Sequence, residues 1–340
     1  MTRMSSKIRF AVVGCGHIGK RHAEMIYRNE IAELTAVVDI KNKEELDIEK
    51  YQVPFFHSLE ALLEADLKPD VINIATPNGL HASQAILCLD AGTHVVIEKP
   101  FALSTTAASA VISKSQQVKK NVFVVMQNRY SPPAIWLKEI LESKKLGKIF
   151  LVQVNCFWNR DERYYKPDSW HGTKNMDGGT LFTQFSHFID LLYWCFGDIK
   201  NIHTRFNDFN HKGLTDFEDS GLVYFDFVNS GMGSLHYSTA VWDKNMESSI
   251  TVIAEHGSLK IGGQYMNEVI YCHIKDYEMP ALPATNPVND YGAYKGSAAN
   301  HHFVIENVVD VLKNNLDIST QLNESLKVVD IIERIYAQRL

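Results

Sequence analysis

Along residues 7–128 the chain repeats one pattern, a short and nearly continuous apolar run followed by a stretch with helical spacing. The apolar runs IRFAVV (8–13), LTAVVD (34–39), a weak PFF (54–56), VINIAT (71–76), HVVIE (94–98) and VFVVMQ (122–127) predict strands. The stretches 17–29, 58–66, 79–91 and 104–119 predict helices, with Gly92 placed as a C-terminal cap and Ser104 as an N-cap. Strands without polar alternation, separated by helices, imply a parallel sheet covered on both faces. Beyond Asn128 the rhythm changes. A helix at 133–145 leads to the long strand KIFLVQVNCFWN (148–159), a polar and aromatic loop (160–176) and a helix at 178–196. GLVYFDF, GMGSLHYST, SITVIAE and EVIYCHI then follow one another across glycine and polar turns, which predicts a mostly antiparallel sheet. Helices at 298–314 and 320–337 close the chain. The expectation is an α/β protein: a doubly wound domain over 1–128, then an α+β domain over 129–340 with a large, mostly antiparallel open sheet.

Composition narrows the function. A length of 340 residues suits two domains, and 45% hydrophobic with 22% charged residues is ordinary for a globular chain. A net charge of -6 recruits neither nucleic acid nor an anionic membrane, so no partner of either kind is expected. The five cysteines are scattered without a CxxC pair, which fits reduced thiols in a cytoplasm. KIRFAVVGCG (7–16) is too short for a secretory segment and reads as a first buried strand, and no stretch reaches the roughly 18 apolar residues of a membrane span. Small-molecule chemistry in the cytoplasm remains.

The first candidate chemistry lies between the first strand and the first helix. Gly14, Gly16 and Gly19 form GxGxxG, whose glycines serve a tight turn, close approach to a pyrophosphate, and close packing of helix on strand. The helix opening at His17 and Ile18 offers free amides and a partial positive charge to phosphate. Asp39 ends the second strand 20 residues past Gly19, where a carboxylate accepts both ribose hydroxyls and repels a 2'-phosphate. These features predict a Rossmann dinucleotide-binding domain that takes NAD rather than NADP, although Lys41 follows closely.

ATPNGLH (75–81) and EKPF (98–101) follow further strands, and so fall where doubly wound sheets bind ligands. With the GCGHIG loop, Thr76-Pro77-Asn78, His81, Glu98-Lys99-Pro100 and the GGTLFTQFSHFID segment (178–190), the whole chain resembles the Gfo/Idh/MocA family of sugar and polyol dehydrogenases. The resemblance implies hydride transfer between a sugar carbinol and nicotinamide, with Lys99 and His187 at the reacting oxygen. It also implies cofactor contacts from Thr76, Pro77, Asn78, His81, Glu98, Lys99 and Gln127, and substrate contacts from Lys99, Asn128, Arg160, Arg163, Thr183, Gln184 and His187. Removing a hydride from a carbinol requires that its hydroxyl proton leave too, so a base must stand within hydrogen-bond reach. Lysine serves only if its pKa falls by about three units, roughly 4 kcal/mol of differential stabilisation. Many relatives carry an aspartate where this chain has Thr183, one helical turn before His187, so a Lys-Asp-His triad is not expected. Asp190 either orients His187 or lies on the helix surface.

The segments 156–190 and 289–312 are similar to one branch of that family, the bacterial UDP-N-acetyl-glucosaminuronate 3-dehydrogenases of surface-polysaccharide (O-antigen) synthesis. That likeness implies a UDP-sugar substrate oxidised at its 3-hydroxyl, a downstream transaminase, and recycling of the nicotinamide by a 2-oxoacid. A uronate carboxylate calls for a guanidinium fork, offered by Arg160 and, more strongly, Arg163, with Lys166 adjacent. Tyr164, Tyr165 and Trp170 are candidates for stacking on sugar or uracil. His57, His301 and His302 raise the question of a metal, but neighbouring helical histidines point about 100 degrees apart, so no metal site is expected. FIDLLYWCF (188–196) reads as core, and a half-exposed sheet implies a homo-oligomer, dimer or tetramer. Two competing functions stay open: a dehydrogenase of inositol or another free polyol, and a dinucleotide-binding regulator of the same fold without turnover.

Overall fold

The protein is described by a computed structural model covering residues 7–292 and 294–339. It divides into two compact units, Met1–Val125 with His301–Leu326, and Met126–Asn300 with Lys327–Leu340.

In the first unit β1 (Ile8–Val13), β2 (Ala32–Val38), β3 (Phe55–Phe56), β4 (Val71–Ile74), β5 (His94–Ile97) and β6 (Val122–Val124) form a parallel sheet in the order β3-β2-β1-β4-β5-β6. Every residue of β4 and β6 is buried, as helices on both faces require. Those helices are α1 (His17–Arg28), a single turn α2 (Lys43–Leu46), α3 (Leu59–Glu64), α4 (His81–Asp90) and α5 (Thr105–Val118). Ser104 caps α5 by accepting the Ala107 amide at 3.1 Å, and Gly92 has φ +80° just past α4, so both caps read from the sequence are present. The strands end earlier than their apolar runs. Ala75 makes a last ladder bond to Val13, Glu98 to Ile74 and Val125 to Ile97. The residues beyond therefore leave the sheet as loops at its carboxyl edge. Because β2 and β4 flank β1 on opposite sides, this edge has a switch point beside β1, the place where open parallel sheets leave a crevice.

The second unit is built on a seven-stranded sheet, β7 (Ile149–Phe157), β8 (Ile199–Asn207), β9 (Ser220–Phe227), β10 (Met232–Ser238), β11 (Glu247–Ala254), β12 (Gly257–Gly262) and β13 (Glu268–Ile274), ordered β13-β12-β11-β7-β10-β9-β8. All neighbours are antiparallel except β7 and β10. β9 and β10 alternate buried with exposed positions, so one face packs and the other stands open. A short hairpin, β14 (Val288–Asp290) and β15 (Lys295–Ala298), follows. α6 (Pro132–Glu142) opens with proline, whose missing N–H costs nothing at a helix start.

The helix expected at 178–196 is two helices, α7 (Thr180–Thr183) and α8 (Ser186–Phe196), broken at Phe185 with φ -118° and ψ 6°. Across the break the Phe188 amide bonds Phe185, three residues back. Thr183 and His187 thus do not share one continuous helical face. The break follows from tertiary packing: Phe185 is fully buried, with its ring 5.6 Å from Trp158 and 5.8 Å from Tyr237.

After the second unit, α9 (His301–Asn314) rejoins the first and packs on α1, and α10 (Leu322–Tyr336) ends the chain. Among the described residues no helix is long and apolar enough to cross a membrane.

Candidate active site

In the first unit each glycine of the loop has its own surroundings. Gly14 has φ +86°, and a Cβ there would stand 2.6 Å from the Ala75 oxygen. A Cβ on Gly19 would fall 1.6 Å from the Gly14 oxygen. Gly16 has nothing within 4 Å of its Cβ position, so the loop is open on that side. The N-cap of α1 is Gly16, which has no side chain to cap the helix that starts at His17 and Ile18. The Asp39 carboxylate accepts the Cys15 amide at 2.6 Å and the Lys41 amide at 2.9 Å, which fixes its direction and holds it beside the glycine turn. An open glycine edge, a helix N-terminus and a fixed carboxylate fit a dinucleotide.

Across the switch point, Thr76 donates its hydroxyl to Gln84 at 2.6 Å, and Pro77 leads into the buried Asn78. His81, fully buried, has Nδ1 2.8 Å from the Pro100 oxygen and Nε2 2.9 Å from the Thr76 oxygen. It therefore ties the loop after β4 to the loop after β5. Burial pushes its pKa down, and a neutral ring donates to one of the two carbonyls. Glu98 is buried, and its Oε2 accepts the Lys99 amide at 3.1 Å. Lys99 itself is partly exposed. His301, weighed with His57 and His302 as a metal candidate, lies buried with Nε2 3.5 Å from Glu98 Oε1. His302 instead packs on Phe303 and His57 on Phe55.

In the second unit Gln127, Asn128, Thr183, Gln184 and His187 are all buried. The Gln127 oxygen accepts from Asn300 at 3.2 Å, and Asn128 Oδ1 accepts the Ser297 hydroxyl. Thr183 donates its hydroxyl to the buried carboxylate of Asp177, whose other oxygen accepts the Gly172 amide at 2.7 Å. A buried carboxylate thus stands one hydrogen bond from position 183, on a residue that sequence reasoning overlooked. Its only signal was an acid before the paired glycines 178 and 179. Asp190 is not a surface group. It is 1% exposed and receives a bidentate pair from Arg129 at 2.8 and 2.6 Å, a partner 61 residues away that no spacing announced.

The two loop arginines differ. Arg163, 40% exposed at its side chain, is held by Asp161 at 2.7 Å and by Asp243 at 3.4 Å. The Arg163 hydrogen bond holds the Asp161 carboxyl down at about 2. Arg160 is 2% exposed and gives its donors to Gln184 Oε1 at 2.7 Å, Asn245 Oδ1 at 3.2 Å, and the oxygens of Asn159 and Lys295. Trp158, Tyr164 and Tyr294 surround its guanidinium at 4.9, 5.2 and 5.0 Å from their ring centres. No carboxylate pairs with it among the described residues. Burial accordingly lowers its pKa from the usual arginine range. Lys166 is exposed. Tyr164 and Tyr165 are buried and pack with Phe217, with Leu214 and Tyr294 against them. Trp170 stacks on His171 at 3.9 Å.

Two family models match: an oxidoreductase family domain with an NAD-binding Rossmann fold, termed GFO_IDH_MocA, over residues 8–126, and a GFO/IDH/MocA C-terminal domain over 135–260. Among solved structures, the WlbA dehydrogenase of Bordetella pertussis, in complex with NADH and UDP-GlcNAcA, is 30% identical with a TM-score of 0.87, covering 98% of this chain and 96% of that one. The WlbA dehydrogenase of Chromobacterium violaceum, with the same two ligands, is 30% identical with a TM-score of 0.86, covering 98% and 94%. The inositol 2-dehydrogenase of Rubrobacter xylanophilus is 25% identical over 266 residues, 76% of this chain and 72% of its own.

Proposed function

Since the chain belongs to the Gfo/Idh/MocA oxidoreductase family and is an NAD-dependent dehydrogenase of CH–OH groups, we propose that it oxidises the 3-hydroxyl of a UDP-N-acetyl-hexosaminuronate to a ketone. The observation that carries this reading is the likeness, through both units and 98% of the chain, to two dehydrogenases solved with UDP-GlcNAcA.

The residues divide the work. Gly14, Gly16 and Gly19, the amides at His17 and Ile18, and Asp39 would hold NAD, which when bound accepts the hydride. Lys99 takes the hydroxyl proton, and His187 orients the hydroxyl and shares that proton. Asp177, acting through Thr183, supplies a fixed acceptor in the second unit. Arg160 is favoured over Arg163 for the uronate carboxylate. It is a buried cation with no acidic partner among the described residues, whereas Arg163 is already engaged by two aspartates. Recycling of the nicotinamide by a 2-oxoacid and a downstream transaminase remain what the family likeness implies.

The test is a panel of UDP-N-acetyl-glucosaminuronate, UDP-N-acetylglucosamine, inositol and free hexoses, followed by reduced nicotinamide absorbance. Turnover confined to the uronate supports the reading. Turnover of inositol with none on sugar nucleotides replaces it with the polyol reading, and no hydride transfer on any of them leaves the regulator.

A further inference from the structure

Directly behind Lys99 lies a group of buried polar side chains that the reaction, as derived so far, does not use. Glu98 Oε1 is 2.7 Å from His22 Nε2, and His22 Nδ1 is 2.7 Å from Asn73 Nδ2. The three are 5%, 1% and 0% exposed. They come from the end of β5, from α1 and from β4, and His301 of α9 stands behind the same carboxylate oxygen at 3.5 Å. An isolated buried carboxylate is costly, yet this one retains its charge. Burial works to raise its pKa, but the hydrogen bond from His22 and the presence of His301 hold it well below the ordinary range.

The direction of donation identifies what the group does. With the Asn73 amide nitrogen turned to it, as assigned, His22 Nδ1 accepts and the ring proton falls on Nε2, aimed at Glu98 Oε1. Two imidazoles and a carboxylate within 4.8 Å have the residue types of a cation site. With its proton on Nε2, His22 bridges to Glu98, and the arrangement is a hydrogen-bond relay. The relay continues through the carboxylate: Glu98 Oε2 accepts the Lys99 amide at 3.1 Å. At this point the chain has just left the sheet, since Glu98 makes the last ladder bond to Ile74, and Pro100 has no N–H to offer. The backbone that carries the Lys99 side chain is therefore set by the Glu98 carboxylate, and the carboxylate by His22.

We propose that His22 is a positioning residue for Lys99, acting through Glu98. Asn73 selects the tautomer of His22, His22 holds Glu98 Oε1, and Glu98 Oε2 holds the peptide from which the proton-accepting amine projects. The inference rests on Lys99 being that acceptor, as proposed above.

A double-mutant cycle tests it, with the purified full chain, NAD and the best sugar of the panel. His22→Phe is expected to lower kcat about tenfold or more while KM for the sugar and the NAD dissociation constant stay within about threefold, because a small misplacement of a reacting group costs rate before binding. His22→Gln, whose side-chain N–H reaches toward Glu98, is expected to restore most of the loss. In a Glu98→Gln background, His22→Phe should cost no more than about twofold further, the non-additivity of residues acting in series. Should His22→Phe not fold, His22→Asn, whose amide is too short to bridge the gap, takes its place in the cycle. An equal loss in both backgrounds, or a loss confined to NAD affinity with kcat intact, overturns the inference. Lys99→Ala separates the two levels. If it keeps full turnover, the assignment of Lys99 falls; if it is inactive while His22→Phe turns over normally, only the role of His22 falls.

Discussion

At the scale of single residues, chemistry and packing are carried by different members of the same neighbourhoods. In the proposed reaction Lys99 and His187 carry the proton chemistry, and loss of general acid–base function costs about 10²–10⁴-fold in rate. Lys99→Ala and His187→Ala are each expected to lower kcat by that factor while the protein still binds NAD, as measured by fluorescence titration; near-normal turnover in either would remove that residue from the mechanism. Asp161 and Arg163 sit in the same loop as Arg160 and pair with each other. The Asp161 pKa is held from its ordinary 3.8 to about 2 by Arg163, so the pair stabilises the fold above the ordinary value and loses that contribution as pH falls through about 2. Solvent at the half-exposed Arg163 screens the pair and keeps the effect small. Asp161→Asn should therefore lower the urea midpoint slightly near neutral pH, with the difference from wild type vanishing toward about pH 2. A difference that grew with acidity would contradict the pairing. A sequence shows the forks of Arg160 and Arg163 and not their partners: Asp243, 80 residues beyond Arg163, meets it only once the chain is folded.

At the scale of elements, the glycine loop makes the sharpest demand. A Cβ on Gly19 would meet the Gly14 carbonyl at 1.6 Å, so Gly19→Ala must push α1 off β1. It is expected to abolish NAD binding, whereas Gly16→Ala, with open space around it, should fold normally and weaken only the cofactor. Thermal unfolding with and without NAD distinguishes the two. Asp39→Ala is expected to relax the preference for NAD over NADP, read as the ratio of kcat/KM values. This half of the molecule was legible in advance because its signals are local: a period, a cap, a glycine spacing and an acid at the end of the next strand. Ser104 and Gly92 stand where their roles required. The second unit was less legible for a physical reason. The helix carrying His187 breaks at Phe185 because that ring is buried among Trp158, Phe188 and Tyr237, a tertiary demand invisible to helical periodicity. The outer strand β8, IKNIHTRFN, is mostly polar and half-exposed, and gave no apolar run to read.

At the scale of the whole molecule, the open face of the seven-stranded sheet bears on assembly. Leu222 and Tyr224 on β9 and Met232 on β10 are 53%, 60% and 55% exposed, and they lie on one side of paired strands. Contiguous apolar surface on a sheet is commonly covered by a second copy. The expected outcome of light scattering is a mass at least twice the 38.6 kDa of the chain, and Tyr224→Arg should lower it; a monomer at micromolar concentration would contradict this. The division of the chain also emerges only at this scale. Residues 301–326 return to the first unit, where His301 stands behind Glu98. Nothing local in NHHFVIENVVDVL distinguishes a helix that returns from one that stays.

The central claim, that the hydride leaves carbon 3 of a sugar-nucleotide uronate, is tested most directly with UDP-N-acetyl-glucosaminuronate deuterated at that carbon. After incubation with the enzyme and NAD, the deuterium should be found on the reduced nicotinamide by mass spectrometry, with a ketone at carbon 3 of the sugar. Deuterium retained on a sugar that is nonetheless oxidised elsewhere, or a sugar returned unchanged while inositol is consumed, would contradict it.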